Sequence, residues 1–85
     1  MYIIVAYDVG VERCNKVMKI LRKYLFHRQN SVFEGNITHK ELRNLKEELR
    51  LIVNDVDEII FYELLSNKYL YNSYIGKKNA IKQII

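Results

Sequence analysis

The first apolar run of the chain, YIIVAY at residues 2 to 7, is continuous and rich in β-branched and aromatic side chains, the pattern of a strand covered on both faces. Asp8 ends it. From Glu12 to about Phe26 the period changes: Cys14, Val17, Met18, Leu21, Tyr24 and Leu25 recur at helical spacing, covering an arc of roughly 120° at about 100° per residue. Lys16, Lys19 and Lys23 fall on the opposite face, with Arg22 on its flank.

The next stretch, HRQNSVFEGNI at residues 27 to 37, has no apolar stripe, and Asn30, Ser31, Val32 and Gly35 are indifferent or poor helix formers. It predicts two short strands around a tight turn near Asn30 and Ser31. Thr38 and Glu41 then have capping-box spacing, and Ile37 can close onto Leu42 as a hydrophobic staple. Leu42, Leu45, Leu49, Ile52 and Val53 form the buried stripe of that second helix. After Asn54 and Asp55, EIIFYELL at residues 58 to 65 predicts another buried strand.

The order is βαββαβ, an α+β ferredoxin-like sandwich with one antiparallel sheet and both helices on one of its faces. The other face is then bare, and Val5, Tyr7, Phe33 and Phe61 are the residues expected to present an apolar surface there for a second subunit. The last residues, YLYNSYIGKKNAIKQII, hold a further extended stretch and the basic pair Lys77 and Lys78, with 79 to 85 open to a helical reading.

Eighty-five residues without proline, low-complexity tract or internal repeat make a single domain, residues 1–85. A chain of this size buries only roughly 60 to 65% of the surface its unfolded form exposes. Hydrophobic residues nevertheless make up 49% of the chain, and seven are tyrosines, so a homodimer that covers the excess apolar surface is expected. A single cysteine, Cys14, excludes an intramolecular disulfide and a cysteine metal cluster, which fits a reducing, cytoplasmic setting. The N-terminal apolar run is too short to span a membrane and lacks the basic flank of a signal peptide, so no membrane role is expected.

The net charge of +4 is unevenly distributed. Residues 1 to 30 carry Arg13, Lys16, Lys19, Arg22, Lys23 and Arg28 against Asp8 and Glu12, whereas acids outnumber bases from residue 31 to 57. Such asymmetry is either a solvated helix surface or a face for a polyanion.

Among candidate chemical groups Asp8 stands first, because it sits at a strand-to-loop junction, where a side chain meets a ligand or caps a turn. In a dimer whose two-fold axis passes this strand end, two Asp8 carboxylates approach each other, and a hard cation such as Mg²⁺ relieves their repulsion. Such an ion activates water and neutralises a phosphodiester. Arg13, at the start of the first helix, is placed to hold a phosphate beside that carboxylate or to serve as an ordinary surface arginine. Tyr7 and Phe33 are either base-stacking or core aromatics. His27 and His39 lack metal-ligand spacing; His39 falls in a first helical turn, and His27 adjoins Arg28. Ser31 has no nucleophile motif and there is no glycine-rich phosphate loop, which disfavours serine hydrolases and nucleotide triphosphatases.

Taken together, a first strand ending in YDV, the basic helix RCNKVMKILRKYL, QNSVFEG, a capped leucine helix and DEIIFYEL resemble CRISPR-associated protein two, the small subunit of the spacer-acquisition machinery. The resemblance runs from Tyr2 to about Leu65. It implies a ferredoxin-like homodimer with facing sheets, in which the residues from about 66 form a C-terminal extension with an extra strand that packs on the partner subunit. It also implies that Asp8 is the catalytic, metal-binding residue shared between subunits, that Tyr7 and Phe33 line the same cleft with Glu34 near the paired aspartates, and that Arg13 contacts substrate. Where family members carry a basic residue two positions before the motif glutamine, this chain has His27, with Arg28 adjacent. Members are described as Mg²⁺-dependent endonucleases on RNA or duplex DNA, an activity not shared by all, and as scaffolds that bridge the CRISPR integrase subunit and hold DNA. Single-stranded RNA is therefore one expected substrate, and Arg13, Lys16, Lys19, Lys23, His27, Arg28, Lys77 and Lys78 are the expected nucleic-acid contacts. A ferredoxin-like regulatory or ligand-binding module is the alternative that explains the fold without YD and SVFEG.

Overall fold

In the computed structural model residues 1–64 are described, and they follow the order β1 (Tyr2–Asp8), α1 (Val11–Arg22), β2 (Phe26–Gln29), β3 (Val32–Asn36), α2 (His39–Arg50) and β4 (Glu58–Leu64). The four strands form one sheet in the order β2-β3-β1-β4, with every neighbouring pair antiparallel. This is the expected ferredoxin-like α+β arrangement. The C-terminal extension, Lys77, Lys78 and the helical reading of 79 to 85 lie outside the described residues.

The second helix starts where its sequence requires. The Thr38 hydroxyl accepts from the Glu41 amide at 3.1 Å, and the Glu41 carboxylate accepts from the Thr38 amide at 2.9 Å, closing the capping box. Ile37 and Leu42, on either side of the cap, both enter the core. The hairpin turn also falls as expected: Asn30 adopts φ 38°, a left-handed conformation that asparagine tolerates better than most residues, and the β2–β3 register slips between His27 and Gln29.

Two expectations are corrected. The first helix ends at Arg22, not near Phe26. The amides of Lys23, Tyr24 and Leu25 turn back onto the carbonyls of Ile20 and Leu21, which carries Leu25 into the core while the chain leaves the helix, and Phe26 opens β2 with 78% of its surface exposed.

The second correction concerns which sheet face is bare. Ile3, Val5 and Tyr7 pack in one core cluster with Val17 and Leu21 of α1 and Leu42, Leu45 and Leu49 of α2. Phe33 and Phe61, the register partners of Val5, share that helix-covered face, as does Ile59 opposite Tyr7. Val5, Tyr7 and Phe33 are therefore core residues, and Phe61 is partly buried against them. Strand alternation turns Tyr2, Ile4, Ala6 and Asp8 to the opposite face, together with their register partners Glu34, Ile60 and Tyr62. An unbroken apolar run carries no period of two, so its parity with respect to the helices is not encoded within the run itself.

Candidate metal and nucleic-acid site

The exposed carboxylate of Asp8 stands at the end of β1, on the sheet face that neither helix covers. Its register partner on β4 is Glu58, also exposed, so two acidic side chains oppose each other across the strand pair. The β2–β3 turn reaches the same end of the sheet, because the Tyr7 amide donates to the Ser31 carbonyl at 3.0 Å. Both acids offer hard oxygen donors of the kind Mg²⁺ takes. No group of three His, Cys, Asp or Glu side chains with metal-binding placement occurs among the described residues. Asp8 and Glu58 are thus the two acidic side chains that meet at this strand end.

Tyr7 and Phe33 do not share this surface. Tyr7 is 8% exposed and Phe33 fully buried, their ring centroids 6.3 Å apart inside the core, and burial raises the Tyr7 phenol above its ordinary pKa. Their expected place in a cleft with Asp8 is corrected to the helix side of the sheet. His27 stacks on Phe33, with centroids 4.7 Å apart and planes inclined by 23°, and its Nε2 meets the Asn30 carbonyl at 2.7 Å.

Arg28 turns to the other face, where its Nε lies 3.1 Å from Glu34 Oε2. Glu34, only 6% exposed, also accepts a hydrogen bond from the Tyr2 hydroxyl, and burial together with that bond raises the Tyr2 phenol pKa. Its register partner is Ile4, four positions before Asp8. Glu34 is therefore tied to Tyr2 and Arg28 in the body of the sheet, away from the strand end that carries Asp8.

The expected phosphate contact Arg13 is also engaged. Its Nε donates to Asp57 Oδ2 at 2.5 Å and its second terminal nitrogen to Oδ1 at 2.8 Å, while its remaining nitrogen meets Glu12 at 2.8 Å. The Asp57 side chain is 1% exposed and that of Arg13 14%. Hydrogen bonds from Arg13 and from the Asn54 and Gly10 amides hold the Asp57 carboxyl well below the usual carboxylate range. Asp57 was not singled out in the sequence; its only local signal is an Asx residue at the turn before a strand.

Lys16 and Lys19 project from α1 into solvent and have no ion-pair partner among the described residues. Lys23 instead pairs with Glu48 of α2, which also accepts from the Tyr24 hydroxyl, so Lys23 and Tyr24 tie the two helices together. A second basic row, His39, Arg43, Lys46 and Arg50, follows α2 at spacings of four, three and four residues, a helical period visible in the sequence. A surface hollow of about 280 Å³ between α2 and β4 is floored by Leu49, Val53, Ile59 and Phe61; Asp8 does not line it.

No helix among the described residues is long and apolar enough to cross a membrane. The fold agrees with that of known proteins. The chain is 47% identical to the CRISPR-associated endoribonuclease Cas2 of Methanosarcina acetivorans, over 94% of this chain and 93% of that protein. It is 49% identical to the protein of the same name from Pyrococcus furiosus over the whole of both chains. A crystal structure of cas2 superposes with a TM-score of 0.85 at 42% identity, covering 94% of this chain and 91% of that one. The Streptococcus pyogenes Cas2 crystal structure at pH 6.5 gives 0.69 at 37% identity, covering 75% and 86%. With residues 1–71 also matching the family model for CRISPR associated protein Cas2, the chain belongs to the Cas2 family.

Proposed function

We propose that a homodimer of this chain acts in CRISPR spacer acquisition in the cytoplasm, binding nucleic acid through its phosphates and hydrolysing phosphodiesters with Mg²⁺ held by the two Asp8 carboxylates. The observation that carries this reading is the position of Asp8, exposed at a strand end on the sheet face turned away from the helices. A second sheet laid on that face would bring the two strand ends together. The names of the relatives support the nuclease reading, since both sequences cited above are called endoribonucleases.

When bound, Mg²⁺ supplies a polarised water and charge neutralisation at the phosphodiester. Asp8 would hold the ion, with Glu58 beside it as a further acidic neighbour. Lys16 and Lys19 attract and hold the phosphate backbone without reading bases, a contribution that falls as salt rises. Lys16 and Lys19, without an ion-pair partner among the described residues, also favour the architectural side of the function, a dimer that carries DNA between copies of the integrase subunit whether or not it cleaves.

Asp8→Asn keeps the side-chain size and removes the charge. Cleavage of single-stranded RNA and of duplex DNA in Mg²⁺ should fall by orders of magnitude, while light scattering still gives twice the 10.2 kDa chain mass and DNA binding persists. Wild-type cleavage by Asp8→Asn removes the hydrolytic reading, and a monomer at micromolar concentration removes the shared site. Loss of spacer acquisition in cells on reversing Lys16 and Lys19, but not on Asp8→Asn, would leave the scaffold role alone.

A further inference from the structure

We propose that Arg13, Asp57 and Gly10 form a positioning clamp for the Asp8 carboxylate, and that Arg13 acts on the site through Asp57, not through substrate phosphate. The inference rests on the reading of Asp8 as the metal-holding residue. Asp57 directly precedes Glu58, the register partner of Asp8, and Gly10 lies two residues beyond Asp8. One carboxylate therefore governs the ends of both strands that frame the site.

Every acceptor position of that carboxylate is used. Oδ1 accepts from the Gly10 amide at 2.9 Å and from the Arg13 terminal nitrogen at 2.8 Å; Oδ2 accepts from Arg13 Nε at 2.5 Å and the Asn54 amide at 2.9 Å. The Asp57 amide in turn donates to the Asn54 carbonyl at 3.0 Å, closing the turn before β4. A two-pronged arginine–carboxylate contact fixes direction as well as distance, and its exclusion from water strengthens it. The Asp8 side chain is exposed and makes no hydrogen bond among the described residues, so its position is set by the backbone that the clamp holds.

Gly10 explains how the guanidinium reaches its partner. Its backbone angles, φ −55° and ψ 143°, suit any residue, so glycine is not required there for conformation. It is required for space: a Cβ at this position would lie 2.5 Å from a terminal nitrogen of Arg13 and 2.5 Å from Glu12 Oε1. Both atoms end flexible side chains. Gly10→Ala should therefore fold, with the guanidinium pushed off Asp57 and every charge retained.

The test compares Arg13→Gln, Asp57→Asn and Gly10→Ala with wild type and Asp8→Asn in the full chain, after confirming far-UV circular dichroism and dimer mass. Mn²⁺ affinity is read by electron paramagnetic resonance of the free ion, duplex affinity by fluorescence anisotropy, and kcat and KM from cleavage. Loss of a group hydrogen-bonded to a metal ligand weakens metal sites by about 10–100-fold, and here the backbone held by the clamp stands in for that contact. A loss in that range is expected for all three clamp variants, with kcat lowered and both KM and duplex affinity within about two-fold of wild type. Gly10→Ala carries the test if Asp57→Asn does not fold.

Wild-type Mn²⁺ affinity in Gly10→Ala and Arg13→Gln, with weakened affinity in Asp8→Asn, overturns the clamp and leaves the metal reading intact. Wild-type affinity in Asp8→Asn overturns the metal reading, and the clamp falls with it. If Arg13→Gln weakens duplex binding while Asp57→Asn, which releases the guanidinium, strengthens it, Arg13 is a phosphate contact and the clamp is wrong.

Discussion

Truncating Phe33 separates a core role from a catalytic one. The side chain is fully buried, opposite Val5 on the helix-covered face, against Tyr7 at 6.3 Å and under the His27 ring at 4.7 Å. Phe33→Ala removes the ring, leaves a void between sheet and helices and strips His27 of its stacking partner; burial of this kind is worth about 3–5 kcal/mol. Domains have about 5–15 kcal/mol of stability in all, and small ones lie towards the lower end. Even 3 kcal/mol corresponds to a fall in Tm of about 12–24 °C for a domain of this length. Phe33→Leu keeps an apolar group in the space and should cost about 1–2 kcal/mol.

Thermal and urea unfolding followed by far-UV circular dichroism, at one fixed chain concentration because dimerisation adds its own stabilisation, gives both differences. Cleavage and duplex binding are then measured on the folded Phe33→Leu protein, where both should match wild type within about two-fold on the ground that the ring touches no substrate. A Phe33→Ala protein that melts within a few degrees of wild type would refute the packing argument. Folded Phe33→Leu with cleavage lost would place the ring at the reaction after all.

Thr38→Ala opens the capping box at the start of α2 and should cost about 1 kcal/mol, a drop of about 4–8 °C in Tm, with most of it restored by Thr38→Ser. Acid should destabilise the fold: Asp57, Glu41 and Glu48 all have lowered pKa values in the native state, so the unfolded chain binds more protons as pH falls. Their stabilisation is present above the ordinary carboxylate value near pH 4 and is lost below it, which urea midpoints measured downward from pH 6 will show, with a flatter decline in Asp57→Asn. Replacing Lys16 and Lys19 by Gln removes four cations per dimer and should flatten the logarithmic salt dependence of duplex binding by up to roughly 3.6. An unchanged slope would exclude both lysines from the phosphate path.

What the sequence made legible was mostly local. The Thr38–Glu41 cap, the Asn30–Ser31 turn and the leucine stripe of α2 each depend on residues within one or two turns of chain, and each stands where the pattern placed it. The position of Asp8 at a strand end was readable for the same reason. The facing of β1 was not, because an apolar run without alternation leaves its parity to be decided by α1 and α2. Leu25 kept helical spacing after the helix had ended, since a turn can return a side chain to the same core. Arg13 reads as a free surface cation because the carboxylate that occupies it is 44 positions away. No local pattern reports a pairing at that distance.

The strand order also sets an expectation for the sequence of events in folding. The β2–β3 hairpin and both helices close over short stretches of chain, but β1 has no local partner: Ala6 waits for Val32 and Asp8 for Glu58, separations of 26 and 50 residues. Doubling a closed loop costs about 0.6 kcal/mol of chain entropy, so docking β1 on β3 precedes docking on β4. During synthesis β1 emerges first and finds its second neighbour only when residues 58–64 are released. Mutations in β4 should then accelerate unfolding and leave the refolding rate nearly unchanged, whereas those in β3 slow refolding. The Asp57 turn arrives with β4, so among the described residues the strand end bearing Asp8 should acquire its native geometry late.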